Sequence, residues 1–169
     1  MKAALLALYL TLLTVGCSPR EKKPDQVVTP TSTGFLKYED AVKLAKSQNK
    51  VILVDVFTDW CEWCKKLDEN VYPDSAVKLE MGKYFAATKL NAESSSMRSF
   101  KGKDLSEQQI ASIWHVASYP TILFLSPDEE VITKIDGYTD PKEFAMILRF
   151  VGTGGYKNSD YDTWKKANS

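Results

Sequence analysis

The chain has 169 residues, 44% of them hydrophobic, and its 22 basic and 22 acidic side chains cancel. That length suffices for a single well-buried core. The charge balance leaves no electrostatic footprint for nucleic acid or an anionic surface.

Met1 and Lys2 are followed by an apolar run, Ala3 to Leu13. It is too short to span a bilayer and has the form of the hydrophobic region of an export signal. The run ends in T-V-G-C, with small Gly16 directly before Cys17. This resembles a bacterial lipoprotein signal, in which the cysteine after the cut receives lipid, although Thr14 stands where that family usually has Leu. The resemblance implies a signal peptide over 1–16 and a lipid anchor on Cys17. Residues 17–34, rich in Pro, Ser, Thr and charge, read as a flexible tether, and 35–169 as the folded domain.

Ala41, Leu44 and Ala45 share one face of a helix expected over Tyr38–Gln48. VILVDVF (Val51 to Phe57) is nearly all apolar and β-branched, as a central strand covered on both faces should be. A helix follows from about Cys61, with Cys64, Leu67 and Val71 at helical spacing and Lys65, Lys66, Asp68 and Glu69 facing out. Pro73 interrupts it, and Asp74 caps a further stretch to about Gly82. FAATKLNA (Phe85 to Ala92) reads as a second strand, and Glu93 to Asp104 as a loop. Ser106 and Gln109 form a capping box for a helix carrying Ile110, Ile113 and Trp114. Thr121–Ser126 and Glu130–Gly137 read as an antiparallel hairpin. Asp140-Pro141 opens a helix whose apolar set is Phe144, Ile147, Leu148 and Val151. Gly152 to Gly155 end it, and a short polar segment, a candidate helix, closes the chain. Mixed strands with an early crossover helix describe an α/β sandwich with a central mixed sheet and helices on both faces.

The chemistry concentrates in DVFTDWCEWCKKL, Asp55 to Leu67, which holds Cys61 and Cys64. A bare Cys-x-x-Cys fits a redox couple, half of a metal site or a structural disulfide. Cys61 follows a buried strand and opens a helix, so unpaired N–H groups and the positive end of the helix dipole favour its thiolate. Cys64 lies one turn further, placed to attack a mixed disulfide formed at Cys61. The spacing thus makes Cys61 the attacking and Cys64 the resolving thiol. Structural zinc takes four ligands, and only His115 remains once Cys17 is assigned to lipid. A bridge across three residues closes almost no loop and stabilises little by chain entropy.

V-D-V-F-T-D-W-C-E-W-C-K resembles the active-site strand, turn and helix of the thioredoxin superfamily. There a Trp precedes the first cysteine, as Trp60 does, and an acid lies six positions before it, as Asp55 does. S-Y-P-T at Ser118 to Thr121 matches the family's segment ending in a cis proline, here Pro120. Lys89 in T-K-L-N matches a lysine paired with the buried acid, and Gly137 a glycine near the substrate groove. The matches run from about Leu36 to Val151. The longer segment between Leu90 and Pro120 and the dipeptide Glu62-Trp63 depart from compact thioredoxins. T-D-W-C-E-W-C-K-K-L-D looks closer to exported thioredoxin-like proteins and to the periplasmic domain of membrane thiol-reductant conductors.

The resemblance implies a thioredoxin-like fold and protein thiol–disulfide exchange without cofactor or metal. Asp55, which Lys89 would otherwise simply satisfy as a structural ion pair, then accepts the Cys64 proton. Trp60 and Trp63 form an apolar rim that, with Tyr119 and Pro120, meets the substrate. His115, beside Trp114, reads as structural. Implied partners are disulfide-bearing exported proteins and a membrane electron donor of the thiol-reductant conductor type, at the extracytoplasmic face of a bacterial envelope. A His between the cysteines, common in strong oxidants, is absent, so a reducing couple is favoured. An oxidase or isomerase, or a tethered module that grips a partner without turnover, are the alternatives.

Overall fold

The computed structural model of the protein describes residues 34–168. The expected signal peptide, Cys17 and the tether up to residue 33 lie outside these residues.

Strand β1 (Val51–Phe57) is the centre of a four-stranded sheet. Its apolar composition, broken by Asp55, follows from that place, because both of its faces are covered. β2 (Phe85–Asn91) runs parallel to it, with Asp55 opposite Lys89 in the register. β5 (Thr121–Leu125) pairs antiparallel on its other side, and β6 (Val131–Asp136) closes that edge, giving the order β2-β1-β5-β6. Alternation along β1 divides the interior into two cores. Ile52, Val54 and Val56 pack with Tyr38, Ala41 and Ala45 of α1 (Tyr38–Gln48) and with Ile110 of α4 (Glu107–Ile113). Leu53 packs on the opposite face with Val77 of α3 (Ser75–Tyr84) and Phe144 and Leu148 of α5 (Pro141–Gly152). The mixed sheet with helices on both faces is the expected α/β sandwich. Its crossover from β1 to the parallel β2 passes through α2 (Glu62–Lys66) and α3, which puts the two cysteines at the carboxyl end of the central strand.

The caps act as the residue types require. Asp74 accepts from the N–H groups of Ala76 and Val77 at 2.9 and 3.2 Å, Ser106 and Gln109 form a reciprocal capping box, and Asp140 accepts from Lys142 and Glu143 ahead of Pro141. At the end of α5, a Cβ on Gly152 would stand 2.4 Å from Cγ of Tyr84, so only glycine permits this close approach of α5 to α3.

Three expectations need correction. The stretch read as a loop contains an antiparallel hairpin, β3 (Met97–Phe100) with β4 (Lys103–Ser106). Lys101 and Gly102 turn it with φ of 48° and 76°, as a two-residue turn with both central residues in the left-handed region demands. Four-residue polar strands carry too little alternation to announce themselves. Second, α2 passes into a π-helical turn, Leu67–Val71, before Pro73, where Asp68 faces out as expected, half exposed, and still forms an ion pair with Lys89. Third, Ile113 is half exposed, because α4 ends there, while Ile110 and Trp114 are buried. The closing segment is helical in part: α6 (Tyr161–Asn168) lays Tyr161 and Trp164 on Phe150, each with ring centroids 5.4 Å away.

Candidate active site

β1 delivers Asp55 to the interior and ends at Phe57, and a tight turn through Thr58, Asp59 and Trp60 follows. The Cys61 N–H donates to the Thr58 carbonyl at 3.1 Å, and Cys61 becomes the N-cap of α2. Its Sγ accepts from the Cys64 backbone N–H at 3.1 Å. A sulfur in that place meets an orphan donor and the positive end of the helix, both of which favour negative charge on it. Cys61 and Cys64 are joined by a disulfide with Cα atoms 5.3 Å apart, and both are almost completely buried.

The buried acid expected from the sequence, Asp55, is wholly inaccessible, and its Oδ2 lies 3.0 Å from Nζ of Lys89. Apart from that ion pair, neither carboxyl oxygen has a hydrogen-bond partner among the described residues. Burial pushes its pKa up, Lys89 pulls it down, and burial prevails. Lys89 also forms an ion pair with Asp68 from the π turn. Burial works against its charge, but the two carboxylates outweigh that and leave its pKa raised. Asp68 was legible only in hindsight. It falls seven residues after Cys61, close to the same helical face, and reaches Lys89 from a half-exposed position. Tyr72, at the end of that turn, is a second residue missed. Its hydroxyl is buried, and burial followed by the nearness of Asp55 raises its pKa well above the ordinary tyrosine range.

Two aromatic pairs stand at the surface around the disulfide. Trp60, 62% exposed, meets Tyr119 edge-on with centroids 5.8 Å apart, so the fold brings together two rings far apart in sequence. Its Nε1 donates to both oxygens of Glu93, at 3.0 and 3.1 Å. Trp63, 52% exposed, lies 5.3 Å from the ring of Tyr138, and Nζ of Lys66 sits 4.0 Å over its face. Glu93 and Tyr138 were not anticipated, and no local pattern marks them. The Tyr119–Pro120 peptide bond is cis. The Pro120 carbonyl accepts from the Gly137 N–H at 2.8 Å. Gly137, at φ 90°, turns the chain from β6 toward Tyr138 in a conformation that glycine adopts without strain.

The charges next to the pair are largely matched. Glu62 forms an exposed ion pair with Lys65 at 2.7 Å, which holds its carboxyl below the usual range, so the dipeptide adds little uncompensated negative charge. His115 is exposed after α4, in a left-handed conformation with φ 52°. The arrangement is a dithiol–disulfide pair at a helix start, over a buried acid and inside an aromatic rim. It can exchange disulfides, with Cys61 as the sulfur poised for thiolate character.

The thiol:disulfide interchange protein DsbD of Tatumella citrea is 25% identical over 109 residues, 63% of this chain but 17% of that protein's length. A putative disulphide-isomerase from Bacteroides thetaiotaomicron, solved in solution, is 28% identical and superposes with a TM-score of 0.55, covering 74% of this chain and 91% of that one. A thioredoxin-fold protein from Helicobacter pylori superposes with a TM-score of 0.60 over 71% of this chain and 86% of its own, at 21% identity. The family model for a thioredoxin-like domain matches residues 38–152, a span that contains the whole four-stranded sheet, both cysteines and the cis proline, and the chain therefore belongs to the family of thioredoxin-like domains.

Proposed function

We propose that this chain is a thiol–disulfide oxidoreductase that reduces disulfides in exported proteins and is re-reduced by a membrane donor of the thiol-reductant conductor type. The observation that carries the reading is the Cys61 sulfur at a helix start, next to Cys64 and above the buried Asp55–Lys89 pair. In the reduced form the Cys61 thiolate attacks a substrate disulfide, making a mixed disulfide and releasing one substrate thiolate. Cys64 gives its proton to Asp55 as its sulfur attacks Cys61. The Cys61–substrate bond breaks, the Cys61–Cys64 disulfide forms, and the second substrate thiolate leaves. Trp60, Trp63, Tyr119 and Pro120 receive the substrate segment. The likeness to DsbD and the compensated Glu62–Lys65 pair support a couple nearer the reducing thioredoxins, about −270 mV, than the strong oxidants near −120 mV.

Replacing the resolving thiol tests this reading. Cys64→Ala in the full chain, expressed in its host, accumulates mixed disulfides through Cys61 that reductant releases on a gel. A chain that captures no thiol partner, or captures partners that reductant does not release, is a binding module and not an oxidoreductase.

The signal T-V-G-C further supports a lipid anchor on Cys17 at the extracytoplasmic face of a bacterial membrane. Cys17→Ala moves the protein from the membrane fraction to the soluble exported fraction. Retention on the membrane at the wild-type level overturns the anchor.

A further inference from the structure

Around Asp55 the structure gathers more polar groups than the exchange described above uses. The Tyr72 hydroxyl is fully buried and, like Asp55 Oδ1, has no hydrogen-bond partner among the described residues. The two groups share a neighbour. Nζ of Lys89 lies 3.0 Å from Asp55 Oδ2 and 5.4 Å from the centre of the Tyr72 ring. The ring itself is held edge-on between Phe35, at 4.9 Å, and Phe144, at 6.0 Å. Tyr72 is thus a fixed aromatic whose single polar atom is out of solvent and near two acids, Asp55 acting more strongly than Asp68.

An unpaired buried hydroxyl costs stability that phenylalanine at the same place would not. Packing alone therefore gives no reason for the oxygen. We propose that Tyr72 is a positioning residue for disulfide exchange: its hydroxyl donates a hydrogen bond to the ionised Asp55 carboxylate and so keeps that carboxylate available as a base for the Cys64 proton.

This inference rests on the oxidoreductase reading and assigns the regulation of its proton step. A hydrogen bond to the charged form of a carboxyl favours that form, opposing burial. Lys89 from β2 acts in the same direction, and Asp68 from the π turn acts against both. From the other elements packed here, β5 sets Ile122 opposite Asp55 and α5 sets Phe144 against Tyr72, and neither titrates. When Cys64 attacks, Asp55 takes its proton and becomes neutral, while Tyr72 keeps its own. Tyr72 therefore changes how readily Asp55 accepts the proton and leaves the stoichiometry unaltered.

Tyr72→Phe retains both ring contacts and removes only the oxygen. The rate of Cys64-dependent resolution, measured as release of the second thiol after the reduced protein is rapidly mixed with the disulfide of a small aromatic thiol, is followed from about pH 5 to about pH 9.5. On the acidic limb, Tyr72→Phe falls about ten- to a hundredfold, the fold-change of one lost hydrogen bond to a charged group. At the alkaline plateau, where Cys64 ionises unaided, it stays within about twofold. In an Asp55→Asn background the same substitution produces no further change in the profile. A purely structural role predicts a uniform loss at every pH together with a lower melting temperature. Profiles of wild type and Tyr72→Phe that coincide, or a Tyr72→Phe effect that persists without Asp55, overturn the proposal. If wild type itself fails to resolve the mixed disulfide at any pH, the oxidoreductase reading has failed instead.

Discussion

Cys61→Ser lowers the reduction of a disulfide-bonded protein by the purified domain on the order of a thousandfold or more, to the level of the reductant alone. The size follows from what is removed. The first step is attack by the Cys61 thiolate, and a serine hydroxyl in the same place is neither ionised near neutral pH nor able to form a disulfide. Every feature that favours charge at that atom, from the Cys64 N–H 3.1 Å away to the start of α2, is then without a nucleophile to act on. Cys64 cannot substitute, because its sulfur lies one turn into the helix, away from the N-cap position that favours a thiolate at Cys61. The melting temperature should change little beyond the loss of the disulfide, whose short loop contributes little by chain entropy. Turnover by Cys61→Ser within tenfold of wild type excludes Cys61 as the attacking thiol.

Asp55→Asn slows turnover near neutral pH and, in the same molecule, makes the domain more stable. Loss of a positioned general base costs about a hundredfold, and the deficit shrinks as pH approaches the ordinary thiol range near 8.5, where Cys64 ionises without help. The stability effect has a definite sign. Burial raises the folded pKa of Asp55 above the ordinary value near 3.8. Between those two values the folded chain holds a proton that the unfolded chain has released, so stability falls as pH rises through that window. Asparagine carries no charge at any pH, so its advantage appears above the window and disappears below about pH 4. Lys89 is not stranded by the change, since it is partly exposed and keeps Asp68. The variant is therefore expected to be more stable than wild type at pH 7. Thermal melts of both proteins at pH 4 and pH 7 check it. A stability difference between variant and wild type that is the same at both pH values, or a variant less stable than wild type at pH 7, contradicts the raised pKa.

The apolar run VILVDVF, the Asp74, Ser106 and Asp140 caps and the turn before β6 are local properties, each set by a few neighbouring residues. They were therefore readable from sequence, and with them came the sandwich of helices about a mixed sheet. Cys61 and Cys64 were legible for the same reason, because a helix that begins at the first thiol places the second one turn away. Roles that depend on groups distant in the chain needed the fold. Asp68 faces out as the helical spacing suggested, but its pairing with Lys89 joins residues 21 apart in the chain and leaves no mark in hydrophobic periodicity. The β3–β4 hairpin was hidden because its strands are short and polar, its one sign being the left-handed Lys101-Gly102 turn. Tyr72, Glu93 and Tyr138 acquire meaning only from Asp55, Trp60 and Trp63, which strand pairing and loop closure bring alongside them. By itself the sequence determined the architecture and the pair of neighbouring cysteines, because period, caps and spacing are short-range. The tertiary structure alone decided which acids, amines and rings surround those sulfurs, because burial and ion pairing arise only when distant segments pack together.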